Sequence, residues 1–312
     1  MRNPPEPGLF QDVALELGVD PAFVEKDWFA VQLIAHIAEF NSQHDAVQAV
    51  FSGGTSLSKG YGLIKRFSED LDFFVTWPTA PEPSVGQRRT FRRKLLDDLK
   101  TASGFKIDDD QLLRGDSHRF FKTPIIYTRV FEQSALRPHL QLEMSFMQPQ
   151  IAPETRPLRS LVATALAQDP ETAIPCISPL ETAADKLSAL CWRVLARNRN
   201  DTMDDPTIIR HLHDLAALSV FIDADLPTFL AAARTSLARD KARRRGGDNI
   251  AMLSDTARLE QAAEKLRTDR AYPLEYGNFV MAMSYADASD MLGFEAALTL
   301  FENLVNHYLA RC

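Results

Sequence analysis

The stretch FSGGTSLSKG, residues 51–60, contains two adjacent glycines followed by two hydroxyl residues. It begins at the end of a mainly apolar run, residues 47–51. Glycine lets the backbone approach an anion closely, and hydroxyls and N–H groups that open a helix favour negative charge. The sequence therefore predicts a triphosphate-binding turn. Its four residues are Gly53, Gly54, Thr55 and Ser56.

Carboxylates placed for metal binding follow this turn. Asp70 and Asp72 lie on an alternating segment that predicts a strand, so their side chains share one face while the apolar residues enter the core. Glu143 lies on the polar face of a second alternating segment, where it is either a third metal ligand or a plain exposed residue. Paired Mg²⁺ ions on such carboxylates can activate a hydroxyl and neutralise pyrophosphate, as nucleotidyl transfer requires.

The same stretch departs from the P-loop of ATPases. The pattern G-x-x-x-x-G-K-[ST] needs glycine where Ser58 stands and a hydroxyl where Gly60 stands. A Walker-type ATPase is therefore not expected. Lys59, the lysine of that comparison, is expected mid-helix with no required role.

The elements that must position these residues are read from apolar periodicity and capping residues. Helices are predicted over residues 20–40, 55–63, 87–101, 178–197, 205–218, 226–239, 255–267, 274–285 and 294–310. Strands are predicted over residues 47–51, 70–76, 125–131 and 140–146, and they nearly vanish after Gln150. This pattern predicts an α+β fold, with a mixed sheet and flanking helices over residues 1–150 and an all-helical domain over residues 151–312.

Composition sets the broad class of the protein. At 312 residues, 45% hydrophobic and 25% charged, the chain matches a folded globular protein of two domains. Cys176, Cys191 and Cys312 have no metal-ligand spacing, which favours a reducing cytoplasm, and no segment is apolar enough to target a membrane. A net charge of −7 argues against a surface coated in positive charge for nonspecific DNA binding.

Basic residues are nevertheless concentrated in two places, each in or beside a predicted helix. One cluster is Arg88, Arg89, Arg92, Arg93 and Lys94, and the other is Arg239, Lys241, Arg243, Arg244 and Arg245. Each is either a solvated helix face or a local contact for nucleic acid.

Several motifs carry a resemblance to a known family. GGTSLSKGYGLIKRFSEDLDF, residues 53–73, closely resembles the signature of the AbiEii/AbiGii nucleotidyltransferase toxins, the toxin half of type IV toxin–antitoxin systems. Further family motifs are similar, in order, to VEKDW at residues 24–28, LETAADKLSALCWR at 180–193 and IIRHLHDLAAL at 208–218. The resemblance spans most of the chain.

The resemblance implies a core similar to polymerase-β-type nucleotidyltransferases, and Mg²⁺-dependent transfer of a nucleotide from an NTP to RNA, with the tRNA 3′ end as first choice. It implies a toxin that blocks translation in phage defence by abortive infection, and a DNA-binding antitoxin encoded nearby. Lys186 would neutralise triphosphate charge from the second domain, or else form a surface ion pair. Asp214 would complete the site, or else pair with Arg210 along its helix.

Two alternatives and one departure accompany this interpretation. The acceptor could be a protein side chain, or the protein could be a non-catalytic nucleotide-binding partner of an antitoxin. The family's last motif reads nearer R-D-L-Y-D-L, and His211 and His213 replace its aspartate and tyrosine. Two positions apart on a helix, these histidines cannot face the same way, so a histidine metal site is not expected.

Overall fold

The chain divides into two compact units. The structure is a computed structural model that describes residues 3–44, 46–78, 80–101, 104–133, 136–202, 204–286 and 290–311. The first unit comprises Met1–Gly62 and Phe67–Ser178, and the second comprises Leu63–Arg66 and Pro179–Cys312. None of the described helices is long and apolar enough to cross a membrane.

One mixed sheet forms the centre of the first unit. Among the described residues its eight strands are β1 (Gln48–Ser52), β2 (Asp70–Thr76), β3 (Phe105–Ile107), β4 (Leu113–Gly115), β5 (Phe120–Tyr127), β6 (Leu140–Phe146), β7 (Glu154–Leu158) and β8 (Thr172–Cys176). The order is β3-β5-β6-β2-β1-β8-β7, and β4 pairs with β5. β2 runs parallel to β6 and antiparallel to β1, so the middle of the sheet carries the predicted site strands.

The predicted bounds of β2 and β6 are confirmed, but two strands lie where few were expected. β7 and β8 follow Gln150 and extend the same sheet, with β8 parallel to β1. The prediction that strands nearly vanish after Gln150 is therefore wrong. Each of these strands contains a proline, Pro157 or Pro175, and proline removes a ladder donor and hides a strand from propensity.

The helices of the first unit are α1 (Pro7–Leu17), α2 (Pro21–Ser42), α3 (Gly53–Lys59), α4 (Val85–Thr101) and α5 (Leu161–Ala165). α2 begins as predicted, because the Asp20 carboxylate accepts the Ala22 N–H at 2.9 Å and Pro21 occupies the first turn. One face of α2 joins Phe51, Phe73 and Leu142 of the sheet in a single apolar core. α2 therefore packs against the sheet that carries the site strands.

The second unit is helical, as the sequence predicts. Its α-helices are α6 (Pro179–Ala196), α7 (Arg210–Ala217), α8 (Ser219–Ala224), α9 (Leu226–Ala242), α10 (Asp248–Met252), α11 (Asp255–Thr268), α12 (Ala271–Phe279) and α13 (Phe294–Leu309). The helix expected over residues 205–218 is a 3₁₀ turn followed by α7, and the one expected over 274–285 ends at Phe279.

A short piece of the signature motif, Leu63–Arg66, belongs to this helical unit. The Tyr285 N–H donates to the Lys65 carbonyl at 3.0 Å, and Arg66 pairs with Ser284 in an isolated β-bridge. Cys176 and Cys191 are buried free thiols, and Cys312 lies outside the described residues.

Candidate active site

The turn between β1 and α3 requires glycine at its first position. Gly53 has φ +74°, a left-handed conformation, and a Cβ built on it would lie 2.1 Å from Oδ2 of Asp72. Any larger residue would therefore clash with that carboxylate. The Thr55 hydroxyl donates to the Asp70 carbonyl at 2.7 Å and ties α3 to the first residue of β2.

The sheet register places the predicted carboxylates beside one another. Asp72 lies opposite Ser52 on β1 and opposite Glu143 on the parallel strand β6. Along β2, Leu71 and Phe73 are buried, and Asp70 and Asp72 on the other face are partly exposed. The three carboxylates therefore occupy one face of two neighbouring strands, as the sequence predicts.

Arg137, to which the sequence patterns point in no way, contacts the first of these carboxylates. Its Nη1 lies 2.6 Å from Oδ1 of Asp70. The Arg137 backbone is held at both polar atoms, because its N–H donates to Glu69 at 2.6 Å and its carbonyl accepts from Lys26 Nζ at 2.8 Å. Lys26 and Glu69 form a buried ion pair with each other. The loop before β6 is thus fixed so that a guanidinium lies on Asp70.

Glu143 also has a cationic neighbour across the sheet. Lys122 on β5 lies opposite it in the register, with Nζ 3.5 Å from Oε1. Burial raises the pKa of the Glu143 carboxyl and the Asp70 charge raises it further, while Lys122 and Arg137 oppose the shift. The shift is therefore due first to burial of the Glu143 carboxyl, and the nearby Asp70 charge adds to it.

The VEKDW motif is a set of buried charges that fixes the loops around this face. Glu25 accepts the backbone N–H groups of Val130 and Phe131 at 2.8 and 3.1 Å. Asp27 accepts the Leu161 N–H at 2.6 Å and forms an ion pair with Lys59.

The expectation for Lys59 is therefore wrong. It is the last residue of α3, not a mid-helix residue, and its ammonium neutralises the buried Asp27 carboxylate. Its role is to anchor the end of α3 to α2.

Lys186 and Asp214, the two site residues on helices of the second unit, contact each other. Lys186 Nζ lies 2.8 Å from Oδ2 of the fully buried Asp214. Arg66 holds the same carboxylate with two bonds, Nε to Oδ1 at 2.8 Å and Nη2 to Oδ2 at 2.6 Å. Arg66 belongs to the signature motif, but its spacing alone indicates no role for it.

The charge balance of this buried cluster favours an ionised aspartate. Burial alone would raise the pKa of Asp214, but Arg66, Lys186 and the hydrogen bond with His213 hold it well below its usual range. Burial lowers the pKa of His211 well below its usual value, with Lys186 adding to the effect. The Asp214 cluster is therefore a cation–carboxylate network.

The β2–β6 face carries donors of the type that a hard divalent cation prefers, but in the described residues they are not gathered into a metal site. Carboxylate oxygens are the ligands that Mg²⁺ prefers, and Gly53 leaves the Asp72 carboxylate a space that any Cβ would fill. Within the described ranges, no three His, Cys, Asp or Glu side chains are grouped closely enough to hold a metal. Instead, Arg137 pairs with Asp70 and Lys122 pairs with Glu143.

Comparison with known proteins identifies the family of the chain. Residues 37–302 match the family model described as nucleotidyl transferase AbiEii toxin of type IV toxin–antitoxin systems. The chain belongs to this family. As a member of the AbiEii family it is a nucleotidyltransferase, and the β1–α3–β2 unit with its carboxylates lies within the matched residues.

A solved structure shows the same fold. The AbiEii-family chain is similar to MenT4, a nucleotidyltransferase toxin from Mycobacterium tuberculosis H37Rv, with a TM-score of 0.54 and 17% sequence identity. The likeness covers 97% of this chain and 99% of that one. No curated protein sequence matches significantly.

Proposed function

We propose that this AbiEii-family enzyme is a Mg²⁺-dependent toxin that transfers a nucleotide from an NTP to an RNA, at the 3′ end of tRNA, and so blocks translation. The observation that carries the proposal is the placement of Asp72 beside Glu143 in the β2–β6 register, with Asp70 on the same face. A binder of triphosphate gains nothing from three carboxylates beside its ligand unless a cation joins them.

In this proposal the residues have separate tasks. Asp70, Asp72 and Glu143 would hold the metal, and Gly53, Gly54, Thr55 and Ser56 would contact the triphosphate. Bound Mg²⁺ supplies a Lewis acid for the attacking hydroxyl and the leaving pyrophosphate.

Arg137 and Lys122 carry the positive charge that the face needs when it is free of metal. They lie on Asp70 and Glu143, and both are partly exposed, so both side chains can turn toward phosphate oxygens.

Lys186 and Asp214 are proposed to act in the same reaction as a unit. The Asp214 carboxylate, fixed by Arg66, orients the Lys186 ammonium that would neutralise phosphate charge. Asp214 is therefore proposed as a positioning residue, since both of its oxygens are already committed to cations. An antitoxin partner and action in the cytoplasm follow from the toxin proposal.

The test is a labelling reaction. Pure protein is incubated with total tRNA, Mg²⁺ and each α-labelled NTP in turn, and the products are resolved by denaturing electrophoresis. We expect labelled tRNA from the parent protein and none from Asp70→Ala. Asp97→Asn, a change at an exposed carboxylate of α4, is the matched control and should label like the parent.

Two results would overturn the proposal. Equal labelling by the parent and Asp70→Ala would remove Asp70 from the metal site. If cell extract takes up label that survives RNase and runs with protein, the acceptor is a protein side chain and the RNA assignment is wrong.

A further inference from the structure

An arginine-rich surface of the first unit is formed by residues that have no role in the site described above. α4 carries Arg89 and Arg92 one turn apart, and both contact His118 in the 3₁₀ turn Asp116–His118. The pKa of His118 is lowered first by desolvation and then by the charges of Arg89, Arg92 and Arg114, the last on β4. The residues of this surface, called the arginine patch, are Arg89, Arg92, Arg114 and His118.

The patch contains more hydrogen-bond donors than acceptors. Arg89 Nε donates to Nε2 of His118 at 3.0 Å, and Arg92 Nη1 lies 2.9 Å from Nδ1 of the same ring. A neutral imidazole has one acceptor nitrogen, so accepting at Nε2 leaves a proton on Nδ1. That proton faces a guanidinium, which is also only a donor. An anion with several acceptor oxygens would satisfy both groups.

The described carboxylates of the protein do not neutralise the charge on the patch. In the part of the chain that the structure describes, no ion pair joins Arg89, Arg92 or Arg114 to a carboxylate. Partial burial lowers the pKa of Arg92, and the neighbouring Arg114 and Arg89 lower it further. The nearby Arg88 and Arg119 differ, because both pair with Glu82 at 2.7 Å.

The backbone under the patch is strained. Asp116, Ser117 and His118 have φ values of 48°, 51° and 65°, three successive non-glycine residues in the left-handed region. Such conformations are unfavourable and collect at binding sites, where the structure uses them to aim a side chain. Here they aim His118 between two guanidinium groups.

The second basic cluster lacks these features. Arg239 pairs with Asp185, Arg244 pairs with Asp248, and Lys241 donates to the Leu253 carbonyl. Two of its five cationic side chains are thus paired with carboxylates and a third is held by a carbonyl, so it offers fewer donors to a ligand.

We propose that the arginine patch binds backbone phosphates of the acceptor RNA. Guanidinium groups pair with phosphate oxygens in two-bond geometry, and the exposed Arg93 and Lys94 extend the positive charge along α4, which suits a chain of phosphates better than a single one. This inference rests on the proposed function, which identifies the ligand as the RNA that accepts the nucleotide.

The test measures RNA binding apart from catalysis. Fluorescently labelled tRNA is titrated with protein, without NTP or Mg²⁺, and anisotropy is followed from 50 to 200 mM KCl. The variant is the triple change Arg89→Gln, Arg92→Gln and Arg114→Gln. Each lost phosphate contact lowers the slope of log K against log salt by about 0.7 to 0.9, so we expect a slope smaller by about 2 to 3 and at least tenfold weaker binding.

Two further variants separate site-specific loss from general charge loss and misfolding. The control triple Arg129→Gln, Arg244→Gln and Arg267→Gln removes the same charge from arginines paired with carboxylates, and should keep the parent's slope. The triple change to lysine at the patch keeps the charge and should also keep the slope.

Failure of this inference differs from failure of the proposed function. If the patch triple and the control triple both keep the salt slope of the parent, the patch is not the RNA site. The same holds if both triples lower that slope equally. Neither conclusion depends on whether the parent labels RNA. If the parent labels no RNA, the proposed function fails, while the titration still decides whether the patch binds RNA.

Discussion

Replacement of Asp214 by asparagine should destabilise the helical unit strongly. The change removes one negative charge and leaves two buried cations, Arg66 and Lys186, whose side chains are 3% and 9% exposed, without their counter-ion. Breaking a buried ion pair by removing one partner costs about 3–5 kcal/mol. At about 2–4 °C per kcal/mol for a unit of this size, the melting temperature should fall by about 6–20 °C.

Thermal denaturation followed by circular dichroism measures this effect. The matched control is Asp248→Asn, which breaks the exposed Arg244 pair on the same unit and should cost less than about 0.5 kcal/mol. A melting temperature for Asp214→Asn equal to that of the control would refute the view that this cluster holds the helices together.

The difference in unfolding free energy between the parent and Asp214→Asn should depend on pH, because the pKa of Asp214 is depressed. Because that pKa is lower in the folded state than the unfolded value of about 3.9, the stabilisation is fully present above about pH 4. It is lost as the pH falls through the folded pKa. The stability gap between parent and variant should therefore be constant from pH 5 to 7 and narrow below pH 4, as urea titrations at each pH would show. A stability gap that widens as the pH falls would contradict a depressed pKa for Asp214 in the folded state.

Two further substitutions test the β2–β6 face. Gly53→Ala should reduce labelling at least tenfold, because its Cβ would meet the Asp72 carboxylate. The control Gly18→Ala, with a similar φ of +65° and open space around it, should lower stability alone. Equal labelling by the two variants would contradict the clash. Arg137→Gln should strengthen Mg²⁺ binding by up to about fivefold in calorimetry, the equivalent of about 1 kcal/mol, because Asp70 loses a competing cation. Weaker binding would show that Arg137 supports the metal site.

Local patterns predicted the elements that carry the candidate site. The cap at Asp20 fixed the start of α2, and alternation gave β2 and β6 with their correct bounds, since these features depend on neighbours in the sequence. β7 and β8 were not predicted, because a proline in a sequence segment is more typical of a loop than of a strand. The strand pairing that accommodates these prolines is visible only in the assembled sheet.

The missed residues act over long sequence separations. Arg137 lies in a segment without periodicity, and its position depends on Lys26, 111 residues away. Arg66 is part of the signature motif, yet its partner Asp214 is 148 residues away. No local pattern encodes such pairs, so spacing alone could not have found them. The roles assigned to the candidate site residues remain predictions.

Metal binding at the β2–β6 face is the central claim, and one measurement tests it most directly. Binding of Mn²⁺, as a paramagnetic substitute for Mg²⁺, is titrated by electron paramagnetic resonance in the presence of a non-hydrolysable NTP analogue. We predict that Asp72→Asn binds Mn²⁺ at least tenfold more weakly than the parent, while Asp97→Asn binds it equally well. Equal Mn²⁺ affinity in the parent and Asp72→Asn would contradict the account.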